Sequence, residues 1–219
     1  MKKSRFTIFC YCLSAPVFLL LAACQSTPTQ GTSAASPAPA PAAQEAPAKP
    51  SASRQPFDVL ANFVASGWME DCQSGPPACE WNPSSTVNPH SPPLCVRVSY
   101  RPGRAGWGGI YLQHPADNWG TQQGRNLSGY RRLTFWARAD NPTFVEFKTG
   151  GIDKPGSPYR DSYEASLGMQ SLTTDWRQYT INLENANLSS VIGGFVWVAT
   201  KTANPNGVTF YLDDINFEN

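Results

Sequence analysis

The sequence predicts an all-β domain over residues 57–219: a two-sheet antiparallel β-sandwich, specifically a jelly roll. Apolar and polar residues alternate in many short runs, and Gly, Pro, Asn and Asp bound those runs. Period-two runs of this kind are typical of strands that bury one face, and a close series of them is typical of a sandwich or barrel. All seven tryptophans lie in this segment, whose length suits a single domain.

The predicted strands follow one another along this segment. Leu94, Val96, Val98 and Tyr100 alternate with polar or small residues, and a second run of the same kind covers 133–138. Further runs lie at 107–113, 143–149, 162–167, 176–183, 193–200 and 207–217. Only the stretch 187–191 favours a short helix.

The last predicted strand contains a change of phase. Val208, Phe210 and Leu212 share one face, whereas Ile215 and Phe217 fall on the other parity. A β-bulge at Asp213-Asp214 would explain the change, since a bulge inserts one residue and reorients its neighbours. The alternative is a central strand that is apolar on both faces.

The N-terminus has the layout of a secretory signal over residues 1–23. Basic residues precede an apolar run that is too short to span a membrane, and the run ends in Leu-Ala-Ala-Cys at residues 21–24. Cys24 at this point resembles the acceptor of bacterial lipoprotein maturation, in which acyl chains give stable anchoring. Gln25 in the next position resembles the pattern of an outer-membrane destination, with the domain in the periplasm or at the cell surface. The alternative is an ordinary signal peptide.

Residues 24–56 are predicted to be the lipidated Cys and a disordered linker. The segment is rich in Ala, Pro, Ser, Thr and Gln and has almost no branched or aromatic side chains, so it cannot bury enough apolar surface to fold. Its prolines favour extended polyproline geometry, with a reach of up to about 100 Å. Such a segment lets a domain search a volume away from the membrane.

Three cysteines remain in the predicted domain, and they face an oxidising compartment. Cys95 occupies an outward position of its strand, so we expect it to be paired. Its partner should come from the Pro-rich loop at 71–93, and we favour Cys79 over Cys72. Closing that loop would contribute roughly 3 kcal/mol.

The stretch 106–120 is the densest local pattern. If 107–113 is a strand, Trp107, Gly109, Tyr111 and Gln113 share a face, opposite two aliphatic residues that belong in the core. Aromatic platforms flanked by amides and acids are how proteins bind sugar rings, and Gly109 would leave room between the two rings. Asn118 and Trp119, just past the strand, could complete the platform. The alternative is that these rings only cover the sheet.

The strand at 143–149 offers polar groups for the same purpose. Glu146 and Lys148 share a parity with Phe144 and could bond sugar hydroxyls, beside Trp136 or Arg138 from the preceding strand. The alternative is an exposed cross-strand charge pair that contributes little.

Three segments carry a resemblance to a known family. The segments 133–138, 176–183 and 210–215 occur in an order that resembles the galactose-binding-like jelly-roll modules found beside bacterial glycan hydrolases. The stretch 106–120, with residues 88–91 before it, is also similar to uncharacterised secreted bacterial lipoproteins of that fold. The resemblance covers about 57–219 and implies a glycan site on a concave sheet face.

The resemblance also implies a structural calcium ion held partly by an Asp of the last strand. Asp213 and Asp214 are the matching positions, and Asp58 could supply another oxygen. Calcium needs six to eight oxygen ligands. The alternative is that these aspartates cap loops through backbone N–H groups.

These observations favour a noncatalytic carbohydrate-binding lipoprotein of the outer membrane, with a polysaccharide or oligosaccharide as ligand. The chain has 17 Lys and Arg against 16 Asp and Glu, and loss of the basic signal leaves it slightly acidic, so nucleic acid is not expected. One alternative is a structural envelope lipoprotein that binds other envelope proteins. Another is a glycan hydrolase using two of the carboxylates Glu146, Asp153, Asp161 and Glu164.

Overall fold

The structure is a computed structural model, and it describes residues 54–219. The expected signal peptide 1–23, the lipid acceptor Cys24 and nearly all of the 24–56 linker lie outside the described residues. Within residues 54–219, no helix combines the length and the apolar character that crossing a membrane requires.

The described residues form eleven β-strands and one short 3-10 helix, Asp71–Ser74. The strands are β1 (Phe57–Asp58), β2 (Val64–Glu70), β3 (Cys79–Ser85), β4 (Cys95–Tyr100), β5 (Trp107–Gln113), β6 (Arg132–Ala139), β7 (Thr143–Gly150), β8 (Glu164–Leu172), β9 (Arg177–Asn182), β10 (Gly193–Thr200) and β11 (Val208–Glu218).

The strands make two antiparallel sheets that pack face to face. The six-stranded sheet has the order β3-β4-β11-β6-β9, with β1 added beside β11, and the five-stranded sheet has the order β2-β5-β10-β7-β8. The predicted all-β, two-sheet antiparallel sandwich is therefore confirmed.

The core lies between the inner faces of the two sheets. Large aromatic side chains from both sheets meet there, with ring centroids 4.8 Å apart for Phe135 and Phe147 and 5.1 Å apart for Phe135 and Phe195. Trp197 of β10 is fully buried against Phe210 of β11. Tilted and edge-to-face pairs at this distance contribute stability in addition to that gained from the apolar area that they bury.

The last strand contains the expected bulge. The pairing of β11 with β6 shifts register between Asp213 and Asn216, and Asp214 has a φ of 49°. The inserted residue moves Ile215 and Phe217 back to the inner face, where both are buried in the same core as Phe210. The bulge, and not a strand apolar on both faces, explains the phase change.

Two local predictions were wrong. Residues 187–191 form no helix, because their backbone groups bond to neighbouring segments, as in the bond from Leu127 N to Leu188 O. The loop expected at 71–93 contains strand β3, which carries a bulge between Asn82 and Ser85. The sequence did not suggest β2 either, because Ala65-Ser66-Gly67 lacks alternation and the strand is bulged there.

The disulfide joins Cys72 to Cys79, not Cys79 to Cys95. Cys79 pairs with Tyr100 in the ladder and belongs to the core, whereas Cys95 points to the outer face of the same sheet. Thiols on opposite faces of one sheet cannot meet. Cys95 is outward, as expected, but it is a free, buried thiol because residues 86–94 cover it.

Candidate functional site

The outer face of the five-stranded sheet carries a row of side chains that crosses all five strands. The register places Gly109 of β5 between Met69 and Val198, and it places Glu146 between Val198 and Met169. We call this surface the platform face. Its members are Met69, Trp107, Tyr111, Phe144, Glu146, Lys148, Ser166, Met169, Val196 and Val198.

Two further rows flank this central one. On one side, Trp107 pairs with Thr200, and Phe144 pairs with Ser171. On the other side, Tyr111 pairs with Val196, which in turn pairs with Lys148. The platform face therefore has an apolar, aromatic end and a more polar end.

The apolar end is open to solvent. Phe144 is 46% exposed and Met169 is 44% exposed, and Trp107 is half-buried. The solvent side of an antiparallel sheet is ordinarily polar, so large apolar side chains grouped on this face indicate a contact surface. Met69, Phe144, Met169 and Val198 were not among the predicted site residues. For Phe144 the sequence did contain a signal, namely the strand parity that it shares with Glu146 and Lys148.

Tyr111 and Trp119 form a wall rather than a flat platform. Their rings meet edge to face, with centroids 5.8 Å apart and planes at 81°. Tyr111 is only 8% exposed because Ile152 and Ile192 pack with it, and this burial raises the pKa of its phenol. Trp119 keeps part of its ring at the surface.

Gln113 and Asn118 do not lie on the platform surface, which corrects the expected ligand-facing placement. Both are fully buried. The Gln113 amide accepts from Ser66 Oγ and donates to Asn118 O, while Asn118 Oδ1 accepts from the backbone N–H groups of residues 120–122. Their amide groups are consumed in holding the loop that follows β5, because a turn that buries its backbone must satisfy these donors internally.

Gly109 leaves no open gap between the rings. A β-carbon at this position would lie 2.9 Å from Met69 Cε and 2.4 Å from the Trp197 carbonyl oxygen. The methionine side chain therefore fills the space expected to be free, and it adds a polarisable thioether to the surface.

Glu146 and Lys148 lie on the platform face as expected, but each already has a partner on the edge strand β8. Ser166 Oγ donates to Glu146 Oε1 over 3.0 Å, and Lys148 Nζ lies 2.7 Å from Glu164 Oε1. Trp136 and Arg138 are not beside them, since β6 belongs to the other sheet.

A buried carboxylate fixes the loop that borders the polar end. Asp161 accepts hydrogen bonds from the backbone N–H groups of Ile152, Ile192 and Gly193. It is 7% exposed, and this burial raises its pKa to about 6. These bonds hold Ile152 and Ile192 against Tyr111. The Asp161 carboxylate is thus engaged in hydrogen bonds that hold the loop. The carboxylates of Glu146 and Glu164 are engaged in surface pairs with Ser166 and Lys148.

Residues 86–94, which we call the strap, cover the part of the outer face of the six-stranded sheet that carries Cys95, Trp136 and Arg138. Arg138 Nη2 donates to Val87 O and Trp176 Nε1 donates to Asn88 O, each over 2.9 Å. The guanidinium of Arg138 also lies 3.8 Å from the centroid of the Tyr211 ring. The aromatic groups of this face are therefore bound to the strap.

Asp213 and Asp214 at the bulge anchor the strap as well. Asp213 Oδ2 accepts from Ser91 N, and Asp214 Oδ2 accepts from Ser91 Oγ and lies 2.8 Å from His90 Nδ1. Ser91 and His90 thus both point at the same carboxylate oxygen. Ser91 Oγ also lies 3.4 Å from His90 Nδ1, so the three side chains form one hydrogen-bonded cluster at the bulge.

The aspartates expected to bind calcium are mostly occupied by protein donors. Besides the strap bonds, Asp213 Oδ1 accepts from Asp214 N, and Asp58 Oδ1 accepts from Ala61 N. Residues 54–219 contain no cluster of three or more His, Cys, Asp or Glu side chains suited to a metal ion. As arranged, these residues do not fit a calcium cage of six to eight oxygens. Calcium at this bulge stays a prediction that a calcium titration would check.

Comparisons with known proteins support the fold. No protein-family model matches the sequence, and no curated protein matches it. Among solved structures, a family 30 carbohydrate-binding module is similar with a TM-score of 0.51 and 16% identity, covering 74% of this chain and 98% of the module.

A family 11 carbohydrate-binding module of a Clostridium thermocellum cellulosomal cellulase is similar with a TM-score of 0.50 and 10% identity, over 74% of this chain and 92% of the module. A xylan-binding domain of Paenibacillus barcinonensis has a TM-score of 0.44 and 11% identity, over 78% of this chain and 96% of that domain. The chain is thus a two-sheet sandwich similar to bacterial carbohydrate-binding modules, and at these identities the similarity concerns the fold.

Proposed function

We propose that the domain is a noncatalytic carbohydrate-binding domain, and that a polysaccharide or oligosaccharide lies across its platform face. The observation that carries the proposal is the group of large apolar side chains on the outer face of an otherwise ordinary antiparallel sheet: the exposed Phe144 and Met169 and the half-buried Trp107. The neighbours of similar fold are named as carbohydrate-binding modules, which supports this choice of ligand over a protein partner.

The chemistry of the face suits a sugar chain. Flat aromatic and thioether groups contact the weakly polar C–H faces of pyranose rings, and Glu146 and Lys148 offer an acceptor and a donor to the hydroxyl rim. The wall of Tyr111 and Trp119 limits the ligand at the polar end. Because the carboxylates near this face are held by Ser166, by Lys148 and by backbone N–H groups, binding without hydrolysis is the function that we infer.

The experiment uses the unlipidated chain, residues 24–219 with Cys24→Ser, on a glycan array followed by affinity electrophoresis with the polysaccharides that bind. Trp107→Ala and Phe144→Ala should each weaken binding by about tenfold, since each removes a ring of the platform. Leu94→Ala is the matched control, because this exposed apolar residue lies on the strap over the other sheet.

Two results would contradict the proposal. One is the absence of binding to any glycan by the unlipidated chain. The other is unchanged affinity in both platform variants, which would move the ligand to another surface.

We also propose that a lipid on Cys24 holds the domain at the outer membrane through the extended linker. The Leu-Ala-Ala-Cys motif, the Gln that follows it and the linker composition support this arrangement. In cells, Cys24→Ser should move the protein from the membrane fraction to the soluble envelope fraction. Retention of this variant in the membrane fraction would contradict the lipid anchor.

A further inference from the structure

A concave surface lies on the opposite sheet, at one end of the sandwich. It encloses about 810 Å³, within the range of small-ligand sites. Its floor is a row across the outer face of the six-stranded sheet, in which Ser99 pairs with both Glu80 and Thr209. We call it the end groove, and it shares no residue with the platform face.

The walls of the end groove are held in place by internal bonds. Asn204 is 4% exposed, its Oδ1 accepts from Thr143 Oγ1, and its Nδ2 donates to Phe144 O over 2.8 Å. These bonds fix the 203–207 wall to the start of β7. On the other side, the Cys72–Cys79 disulfide and the bond from Arg101 N to Ala78 O hold Pro76 and Pro77. A ligand would therefore enter a surface that is already formed.

The groove is lined by polar groups that both donate and accept. Arg97 Nη1 lies 2.9 Å from Glu80 Oε2, which leaves the second Glu80 oxygen and the other guanidinium nitrogens without a side-chain partner among the described residues. Asp140 and Arg101 add a second acid and a second base, so the ionised side chains of the lining balance. The Tyr100 ring is only 1% exposed, and the lining offers no aromatic surface for stacking.

This chemistry defines the ligand. Carboxylates and guanidinium groups bind adjacent hydroxyls through paired hydrogen bonds, and a balanced lining gives no preference for a charged molecule. The size accommodates one or two sugar rings. We propose that the end groove is a second binding site, for a short uncharged polyhydroxylated ligand such as a mono- or disaccharide unit, that acts independently of the platform face.

The test is an amide chemical-shift titration of the isotope-labelled unlipidated chain with cellobiose, galactose and glucuronate. Each sugar is added up to tens of mM, because isolated sugar contacts are weak and we expect a Kd of about 1 mM. A neutral sugar should shift the amides of Ser99, Gly207 and Thr209. The double variant Glu80→Gln, Arg97→Met should weaken this titration by about tenfold or more.

Glu184→Gln, an exposed carboxylate outside the lining, is the matched control and should leave the titration unchanged. Trp107→Ala should also leave it unchanged, which separates this site from the platform face. The proposal is overturned if no probe shifts these amides, if only glucuronate does, or if the double variant titrates like the parent chain. None of these results bears on binding at the platform face.

Discussion

The imidazole of His90 lies nearly parallel to the indole of Trp136, with ring centroids 3.8 Å apart and 17° between the planes. This is the geometry in which a planar ligand would cover a tryptophan. The strap therefore occupies the aromatic surface of the six-stranded sheet, whereas the corresponding surface of the five-stranded sheet stays exposed. The difference explains why we propose the aromatic glycan platform on the five-stranded sheet.

Replacing His90 should loosen the strap without affecting the platform face. His90→Ala removes the stacking on Trp136 and the contact with Asp214, so we expect the free energy of unfolding to fall by about 1 kcal/mol. Urea denaturation measures this change, and limited proteolysis should show faster cleavage within 86–94. Val87→Ala, a substitution at a half-exposed strap residue, is the control. Equal protease resistance of His90→Ala and the parent chain would show that the stacking does not hold the strap.

Asp71 should be among the most sensitive polar positions of the domain. Its carboxylate accepts from the N–H groups of Gly103, Ala105 and Gly106 and from the Tyr100 hydroxyl, at 2.8–3.1 Å. Asp71→Ala leaves these donors without a partner, so the free energy of unfolding should fall by about 2–4 kcal/mol. Thermal and urea unfolding would measure it, with Asp140→Ala at an exposed carboxylate as control.

The pH dependence of Asp71 has a definite sign. Burial alone would raise its pKa, but the hydrogen bonds outweigh burial and lower the pKa below its ordinary value of 3.8. Protons therefore bind the unfolded chain more tightly, and the stability that Asp71 contributes is present at neutral pH and lost as pH falls through the folded pKa. Between pH 5 and 8, Asp71→Ala should therefore lower the free energy of unfolding by the same amount at every pH.

The fold could be predicted from the sequence because most strands bury one face. Residues 94–100 and 133–138 alternate regularly, and even the bulge at Asp214 left a readable change of phase. Strands β2 and β3 were missed, since Gly67 and Pro83 interrupt their pattern and bulges break their registers. Periodicity cannot reveal a strand whose own geometry is irregular.

The candidate site was harder to predict, because parity gives the face of a side chain but not what covers it. Trp107, Glu146 and Lys148 lie on the surface expected for them. Gln113 has the same parity as Trp107, yet the loop after β5 folds back and buries it. The contribution of Met69 depends on pairing with a strand about 40 residues away, which no local pattern encodes.

The cysteine assignment gives a direct chemical check. In the unlipidated chain only Cys95 should carry a free thiol within the described residues, and it is 3% exposed. A maleimide should therefore react slowly with the native protein and label one site after unfolding without reductant. Mass mapping should place the label on Cys95, and Cys95→Ser should abolish it. Labelling of Cys72 instead would show that Cys79 pairs with Cys95.

Asp161 should give the domain a stability that increases on mild acidification. Burial raises its pKa to about 6 in the folded protein, against 3.8 for the ordinary carboxyl, so the folded state binds the proton more tightly than the unfolded state. Stability from this group is gained as pH falls through 6 and lost as pH rises through it. Between pH 7 and 5 the gain should be about 1 kcal/mol.

Urea unfolding of the parent chain and of Asp161→Asn at both pH values isolates this contribution, since the amide does not titrate. Asp153→Asn, an exposed neighbour in the same loop, should keep the parent slope. An identical slope in Asp161→Asn and the parent would show that the loop bordering Tyr111 does not depend on this protonation.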